Sequence, residues 1–425
     1  MSSTPLDVVV VGAGIGGLAT AIALRRCGHK VKIYETSEIK TEVGAGISIQ
    51  SNSLRVLNAF GLKRENLNPV NFLGFNTFHA VTGQGNSIMW HKTEDEKLRP
   101  LTCHRSDIHE ELKRLATSAD CDFLGPPAEL HLGKKVNLCA PEAGSITLST
   151  GEVVEADLVI GADGIHASSL SLLRTRITIS QSVIRTSVLG HSLTANATGF
   201  ACFRCLFDAS AIDSIPELSW LREGTEGPMS VAPTGDRLST HFMYFVRSGT
   251  VLNFAAFHQD TDQDAKPWTE TTTVDDMRAT YSSFHPKFQR IFDLPTVTPV
   301  LRWQLRAMPL LPTWIKGRTT IMGDAAHATL PLLGQGAAMA IEEAATLGCL
   351  LPLGTKREDV PARLAAFEKL RKERGEFVNT ESVAQAMPEK RNKYIEERDI
   401  QAYLVGHDAI KAGEEYFNQH YKATS

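Results

Sequence analysis

Three glycines and one acidic residue near the start of the sequence have the spacing of a dinucleotide-binding motif. Gly12, Gly14 and Gly17 follow the pattern G-x-G-x-x-G, and Glu35 follows further along the chain. In such a motif the first glycine permits a tight turn, the second lets the backbone approach a diphosphate, and the third lets a helix pack closely on a strand. The acidic residue can accept hydrogen bonds from ribose hydroxyls. These residues predict a dinucleotide site without indicating which dinucleotide binds.

The segments around these glycines have the pattern of a βαβ unit. Residues 8–11 are consecutive valines, which is typical of a strand buried on both faces. Residues 18–24 combine alanines with apolar residues at helical spacing, and residues 31–34 indicate a second strand. The helix N-terminus would offer free N–H groups and a partial positive charge to phosphates. A signal peptide, a membrane span or an unrelated glycine-rich turn explains the stretch less well.

A second glycine-rich loop lies in the far half of the chain. Gly323-Asp324 follows a predicted strand, and Gly334 and Gly336 precede an alanine-rich helix that carries Glu342. Such a loop suits a ring system or a negative charge lying against backbone N–H groups. Two fixed loops far apart in sequence favour a permanently held cofactor over a coenzyme that binds only transiently.

Three further residues stand at the ends of predicted elements. Arg105 precedes a helix with Ser106 as its predicted N-cap, and from there it can reach a phosphate at the first loop; the alternative is a solvated surface charge. Asp163 lies between two glycines after the predicted strand 153–160, where an Asx-turn is the simpler interpretation. Gly46 lets the backbone pass close to a flat or bulky group, unless it lies in a plain loop.

The composition is that of an ordinary globular protein. The chain has 425 residues, which is long enough for two substantial domains. Hydrophobic residues make up 42% of it, and the formal net charge is -4. The charge gives no reason to expect nucleic acid or an acidic membrane surface as a partner, and no other segment is long and apolar enough to span a bilayer. Seven scattered cysteines indicate a reducing compartment, so we expect a cytoplasmic protein. Cys202 and Cys205 form C-x-x-C, but an extended segment would place them on opposite faces, and we predict no metal site.

Together the motifs resemble the three fingerprints of the single-component FAD-dependent aromatic hydroxylases (group A flavin monooxygenases). The fingerprints are Gly12-x-Gly14-x-x-Gly17 with Glu35, then Asp157 to Gly164, then Gly323-Asp-Ala-Ala-His-x-x-x-Pro-x-x-Gly-Gln-Gly. They occur in the family's order over nearly the whole chain, and the salicylate hydroxylase-like branch is the most similar. The resemblance implies an α/β fold in which a Rossmann-like FAD-binding domain is interrupted by an antiparallel-sheet substrate domain and followed by a helical C-terminal tail.

Short alternating segments between residues 199 and 301 support this organisation, because they predict an antiparallel sheet rather than further βαβ units. We therefore predict four parts. They are the first part of the FAD-binding domain (1–190), the substrate domain (191–300, with a sheet that may take in 70–100), the second part of the FAD-binding domain (301–375) and the C-terminal helices (376–425).

The resemblance also implies roles for individual residues at the cofactor. Glu35 would bind the adenosine ribose, Arg105 the FAD phosphates and Asp324 the ribityl chain. Gly336 and Ala337 would present backbone to the flavin ring. His327 lies within the third fingerprint, where we expect it to support the loop rather than to catalyse.

Two more expectations concern the flavin and the nicotinamide coenzyme. Gly46 would lie beside the isoalloxazine ring, and Asp163 belongs to a motif linked to both FAD and the nicotinamide nucleotide. A second G-x-G-x-x-G between a strand and a helix does not occur in the sequence. This agrees with a family in which NAD(P)H binds only transiently in a groove.

The activity implied by the resemblance is hydroxylation of a phenol or hydroxybenzoate-like aromatic with O₂ and NAD(P)H, through a flavin C4a-hydroperoxide. A phenol reacts best as phenolate, so a base or cation beside it would help. In related enzymes an arginine and a tyrosine on the substrate sheet do this, and Arg204 and Tyr244 lie on strand-like segments at comparable places. The alternatives are a surface charge for Arg204 and a core aromatic for Tyr244. Small aromatic substrates and O₂ are the expected partners, with a monomer or homodimer as the expected state.

One stretch departs from the family pattern. Residues 169–184 look like an insertion after the Asp163 motif, where relatives run quickly into an arginine-bearing helix. An insertion that disturbed this loop would impair FAD or nicotinamide binding. Two alternative functions therefore stay open: another flavin reaction, such as epoxidation or an oxidase reaction, and a degenerate flavin-binding protein.

Overall fold

One mainly parallel and one mainly antiparallel sheet dominate the structure, a computed structural model that describes residues 4–38, 45–89, 95–165, 182–233, 238–260, 269–387 and 398–422. The strands are β1 (Asp7–Val11), β2 (Lys30–Tyr34), β3 (Gly46–Ile49), β4 (Val70–Asn71), β5 (Gly74–His79), β6 (Gly85–Met89), β7 (Leu101–His104), β8 (Glu129–His131), β9 (Val136–Ala140), β10 (Ser145–Leu148), β11 (Val153–Glu155), β12 (Leu158–Gly161), β13 (Asn196–Asp208), β14 (Met229–Ala232), β15 (Thr240–Val246), β16 (Val251–Gln259), β17 (Thr269–Thr272), β18 (Val300–Ala307), β19 (Ile315–Lys316) and β20 (Thr319–Ile321).

The α-helices lie between these strands and after the last of them. They are α1 (Ile15–Arg26), α2 (Ser51–Ala59), α3 (Arg105–Thr117), α4 (Val183–Leu189), α5 (Val274–Thr280), α6 (Pro286–Gln289), α7 (Asp324–His327), α8 (Gly336–Leu350), α9 (Val360–Ala384), α10 (Arg398–Val405) and α11 (Ala409–His420).

The mainly parallel sheet holds the predicted dinucleotide motif at its centre. Its strand order is β19-β20-β12-β1-β2-β8, and β1 pairs in parallel with both β2 and β12. The four valines of β1 are buried, as expected for a strand covered on both faces. The turn after β1 and the turn before α7 therefore open at the same end of the sheet, where ligands bind in open α/β folds.

The second large sheet has eight strands in the order β17-β18-β13-β16-β15-β14-β5-β6. Its pairs are antiparallel except for β14 with β5. One face packs an aromatic core that includes Phe203 and Phe254, whereas the opposite face carries Cys202 and Ala255 and packs against Leu330 of the far glycine-rich loop. This face of the eight-stranded sheet thus contacts the far glycine-rich loop.

The fold class predicted from the sequence is confirmed, while the exact division of the chain into domains stays a prediction. A small sheet, β3-β7-β4, joins the two large ones, because the Thr102 hydroxyl of β7 donates to the backbone oxygen of Phe245 on β15 (2.7 Å). Cys202 and Cys205 lie on opposite faces of β13, as predicted. Within the described ranges no group of His, Cys, Asp and Glu could hold a metal, and none of the helices there is long and apolar enough to cross a membrane.

Most of the predicted insertion 169–184 lies outside the described residues, and its last three residues lie at the start of a helix. Ile184 belongs to α4, and Ser182 is the N-cap of that helix. The Ser182 hydroxyl donates to the Asp163 carboxylate (2.7 Å), so the start of α4 lies beside the turn that follows β12. The arginine-bearing helix of the family pattern is therefore present, as α4 with Arg185.

Candidate functional site

Two of the three glycines in the first motif are required by close backbone packing. A Cβ at Gly17 would lie 2.0 Å from the carbonyl oxygen of Gly12, and a Cβ at Gly12 would lie 2.3 Å from that of Ala162. Gly12 also has φ +103, a conformation that side chains disfavour. These contacts hold β1, α1 and the end of β12 together around the turn.

Gly14 is different, because a Cβ there would meet no atom within 4 Å. It is the N-cap residue of α1, and no side chain caps this helix. The first N–H groups of α1 therefore have no intrahelical partner and border open space. This is the arrangement that a diphosphate fits, with its charge stabilised by the helix N-terminus.

The Glu35 carboxylate follows β2 and already has two backbone partners. Its Oε2 accepts from the Ala13 N–H (2.9 Å), and its Oε1 accepts from the Ser37 N–H (2.8 Å). Because an ionised carboxylate offers about four acceptor positions, both oxygens can still accept from ribose hydroxyls. Glu35 thus lies beside the loop that would hold the diphosphate, as the motif predicts.

Arg105 is the first residue of α3, which lies across from the glycine loop. The Nε2 of His109 on the same helix lies 2.8 Å from the Ala13 carbonyl oxygen. The N-cap is His104, whose Nδ1 accepts from the Ser106 N–H (3.2 Å), so the prediction of Ser106 as N-cap was wrong. An imidazole nitrogen accepts this bond as well as a hydroxyl does. The prediction from the sequence considered only the serine hydroxyl.

The Asp324 carboxylate belongs to the far loop and lies within electrostatic range of Arg105. Surrounding protein raises the pKa of Asp324 by desolvation, and the charges of His327 and Arg105 oppose the rise. The fold therefore brings an acid and a base from distant parts of the chain to one cleft. Asp324 keeps exposed surface there, which leaves its oxygens available to a ligand.

A buried ion pair holds this far loop in place. His327 Nε2 lies 2.6 Å from Glu343 Oε1, and Glu343 Oε2 accepts from the Gly323 N–H (2.8 Å). Burial lowers the pKa of His327, but the neighbouring Glu343 carboxylate outweighs it and raises that pKa overall. His327 thus ties the loop to α8, which is the supporting role expected from the sequence.

Helix α8 begins at Gly336, with Gln335 as its N-cap. Gly336 and Ala337 are half-buried, and the amide groups of this first turn have no intrahelical acceptor. The preceding Gly334 has φ +62, and a Cβ there would lie 3.0 Å from the Ser48 hydroxyl. The glycines therefore let this loop fold tightly against β3 and present a second helix N-terminus to the cleft.

Asp163 uses its carboxylate within the protein. Its oxygens accept from the Ser182 hydroxyl and from the Ile184 N–H (3.3 Å), which anchors the start of α4. Burial raises its pKa, and the Ser182 bond opposes the rise. Arg185, one turn later, donates to the Ala325 carbonyl oxygen (3.1 Å). Asp163 thereby supports the Asp324 loop through α4, and direct contact with a nucleotide stays a prediction.

Gly46 lies where β3 meets the eight-stranded sheet. A Cβ there would lie 2.5 Å from the Tyr244 ring, and the Gly46 N–H donates to Asn253 Oδ1 (2.7 Å). Glycine is required here by side chains of the opposite sheet. The sequence analysis missed Asn253, because no motif marks it and its partner is 207 residues away.

Arg204 and Tyr244 lie on the same face of the eight-stranded sheet. Their strands, β13 and β15, both pair with β16, and the Arg204 charge is close enough to lower the pKa of Tyr244. Burial outweighs that effect and raises the Tyr244 pKa far above its usual value. Half-buried Arg204 lies 6.0 Å from the Trp303 ring, and among the described residues no carboxylate pairs with it.

The rest of this face is apolar. Its residues and those of the facing loop form one cluster, here called the apolar wall: Cys202, Phe242, Ala255, Phe257, Leu305, Leu330 and Leu332. The Phe242 and Tyr244 rings are 5.6 Å apart, so the wall continues up to the polar pair. An apolar surface with a few convergent polar groups is typical of a small-molecule site.

Comparisons with known proteins identify the family of this chain. The family described as "FAD binding domain" matches residues 5–382. The sequence is 39% identical over 417 residues to hispidin-3-hydroxylase of Neonothopanus nambi, covering 95% of this chain and 94% of that protein. Among solved structures, CtdE in complex with FAD and a substrate has a TM-score of 0.79 at 22% identity and covers 97% and 98% of the two chains. A salicylate hydroxylase substrate complex has a TM-score of 0.74 at 22% identity, with 97% and 98% covered.

The match covers most of the chain, and the residues present fit the cofactor. Helices α1 and α8 pack together, with a Cβ at Gly16 3.1 Å from the Ala340 side chain, Glu35 holds the Ala13 N–H, and Asp324 lies within electrostatic range of Arg105. The chain belongs to the FAD-binding family of FAD-dependent monooxygenases, and FAD is its cofactor.

Proposed function

We propose that this enzyme hydroxylates a phenolic or hydroxybenzoate-like aromatic compound, with O₂ as oxidant and NAD(P)H as reductant. The observation that carries the proposal is the placement of Arg204 and Tyr244 on the same face of the eight-stranded sheet, beside the apolar wall. The wall suits a flat aromatic ring, and the polar pair suits the oxygen of a phenol. Hispidin is the first compound to test, because the 39% identical relative is named for it.

The cofactor would lie along the cleft from Glu35 to α8. Glu35 would hold the adenosine ribose, and the amides beside Gly14 would hold the diphosphate together with Arg105. Asp324 would accept from the ribityl chain, and the backbone of Gly336 and Ala337 would meet the flavin ring. When bound and reduced, FAD supplies the chemistry that activates O₂.

The substrate-side residues would divide the work on the phenol between them. The Arg204 guanidinium has no paired carboxylate in the described structure, so its charge is available to favour phenolate. Tyr244 stays a neutral phenol at physiological pH because burial raises its pKa, and it therefore acts as a hydrogen-bond donor. Gly46, held by Asn253, places a segment of backbone against the Tyr244 ring.

A screen of NADH and NADPH oxidation with hispidin and simple phenolic acids tests the proposal. The FAD-loaded enzyme is expected to oxidise one coenzyme several-fold faster with at least one phenol than without. A rate that no phenol stimulates would contradict the proposal and favour a degenerate flavoprotein. The same preparation, analysed by sedimentation, distinguishes the proposed monomer from a homodimer.

A cytoplasmic location is part of the proposal. All seven cysteines lie in the described part of the chain and are free thiols. Free thiols suit a reducing compartment. Fractionation of the producing cells tests this part. Recovery of the enzyme outside the cytosolic fraction would contradict it.

A further inference from the structure

A fully buried carboxylate, Glu342, lies on α8 one and a half turns after the N-terminus of the helix. Two guanidinium groups of α9 surround it: Arg371 Nη2 lies 2.6 Å from Oε2, and Arg374 donates to both oxygens (2.8 and 3.0 Å). All three residues are at most 4% exposed. Burial alone would raise the pKa of Glu342, but the arginines outweigh it and lower that pKa to about 2. The two guanidinium groups therefore hold Glu342 in its ionised form at neutral pH.

The fixed charge of Glu342 determines how a neighbouring amide is oriented. Asn52 Nδ2, at the start of α2, lies 2.6 Å from Glu342 Oε1. A flipped amide would place its oxygen against the carboxylate, so the amino group must face Glu342. Its second hydrogen then donates to Gln335 Oε1 (3.0 Å), which fixes the Gln335 amide as well.

Gln335 lies at the N-terminus of the helix that carries Glu342, so this chain of contacts begins and ends on α8. It is the N-cap of α8 and 1% exposed, and the next two residues form the turn that meets the cleft. The chain from Glu342 through Asn52 to Gln335 thus ties the N-terminus of α8 to its own interior. Arg374 also donates to the carbonyl oxygens of Tyr403 and Leu404, so the C-terminal helix α10 is attached to the same cluster.

We propose that Asn52, Gln335 and Glu342 are positioning residues that fix the N-terminus of α8 against the flavin and so set its affinity and reduction potential. The inference rests on the proposed placement of the flavin ring at Gly336 and Ala337. The cluster holds two guanidinium charges and one carboxylate, and its excess positive charge adds to that of the helix N-terminus. Both favour the negative charge that the flavin gains on reduction.

A double-mutant cycle on the FAD-loaded protein tests this link. Asn52→Ala and Gln335→Ala are each expected to weaken FAD binding about tenfold, the effect of one well-placed hydrogen bond. Each should also lower the flavin midpoint potential. The double variant should be no worse than either single variant, because both break the same chain. Additive effects, or unchanged affinity and potential in both single variants, would overturn the proposal.

Two further variants separate positioning from a general loss of stability. Asn76→Ala is the matched control, since Asn76 is equally buried and hydrogen-bonded but lies on β5, away from the cleft. It should lower the melting temperature without changing the potential. Glu342→Gln removes a negative charge but keeps a side-chain oxygen that accepts from Asn52, so it should raise the potential, whereas Asn52→Ala lowers it. The same sign in both variants would contradict the electrostatic part. FAD affinity, midpoint potential and melting temperature are all measured without turnover. If the wild-type enzyme hydroxylates a phenol but the variants keep wild-type affinity and potential, this inference is rejected and the proposed function stands.

Discussion

The cofactor end and the substrate end of the proposed site are built from different kinds of contact. At the cofactor end glycine loops set the shape, and side chains such as Glu35 are added to them: Gly12 and Gly17 have no room for a Cβ, and Gly14 has open space. At the substrate end the contacts are side chains on one face of an antiparallel sheet, with Arg204 and Tyr244 beside the apolar wall. The backbone-built end leaves a spacing pattern in the sequence, because only glycine serves there. The side-chain-built end leaves no such pattern.

Gly17→Ala should give the largest effect and should act without the cofactor. A methyl group placed 2.0 Å from the Gly12 carbonyl oxygen forces α1 away from β1. We expect the melting temperature of the apoprotein to fall by roughly 5 °C or more, or the protein to be insoluble. Thermal unfolding followed by circular dichroism measures this. An apoprotein as stable as wild type would show that the glycine is not required for packing.

Arg204→Gln and Tyr244→Phe should slow hydroxylation and leave FAD bound, which would confirm that the two ends are separate. We expect the Arg204 variant to lose on the order of 100-fold in kcat, within the usual range for acid–base assistance. Wild-type FAD affinity, measured by fluorescence titration, is the control. Wild-type turnover in both variants would remove these residues from the site.

The pH profile of Tyr244→Phe sharpens the same point. Because burial raises the Tyr244 pKa, the folded protein keeps this phenol protonated through neutral pH. The variant should therefore be slower by a constant factor between about pH 6 and 9, as measured by kcat against pH. A step in the profile that disappears in the variant would show that Tyr244 titrates and acts as a base.

Gly14→Ala should have a smaller effect than Gly17→Ala, and one that depends on the cofactor. Its methyl group would meet no protein atom but would occupy the space expected for the diphosphate. We predict an unchanged apoprotein melting temperature and an FAD dissociation constant raised about tenfold or more. Unaltered FAD binding would contradict the placement of the diphosphate at this turn.

Ala255→Leu should give the smallest effect, confined to the substrate. Ala255 lies on the apolar wall, whereas its neighbour Ala256 lies in the aromatic core on the other face of β16. The Ala255 variant should raise KM several-fold and retain its stability, while Ala256→Leu should lose roughly 1–3 kcal/mol of unfolding free energy. Steady-state kinetics and thermal unfolding distinguish them. Equal effects in both would mean that the two faces do not differ in function.

The sequence predicted the turn and helix at the first glycine motif because glycine spacing reflects backbone geometry, whereas the contacts of these residues with FAD stay a prediction. Gly12, Gly14, Gly17 and Glu35 all lie where the motif implies, and the far loop lies beside Arg105. Helix α4 was not predicted, because a serine-rich stretch hides its N-cap at Ser182. Local composition does not reveal an N-cap whose hydrogen-bond partner, Asp163, lies before the serine-rich stretch.

What the sequence could not predict are contacts between residues far apart in the chain. Asn253 reaches Gly46 across 207 positions, and Asn52 reaches Glu342 across 290. Buried amides and carboxylates of this kind have no periodic pattern, and only the fold brings them together. A charged residue within an alanine-rich helix, as at Glu342, is the one signal that could have indicated a buried ionic cluster.

The position of oxygen in the product tests the central claim most directly, namely that the cofactor end and the substrate end meet at one aromatic hydroxylation site. Wild-type enzyme, FAD and the coenzyme and phenol selected by the screen are incubated under isotopically labelled O₂. Mass spectrometry should show one labelled oxygen atom in each hydroxylated product, with coenzyme consumed in equal amount. Coenzyme consumption with hydrogen peroxide as the sole oxygen product, or an unlabelled product, would contradict the account.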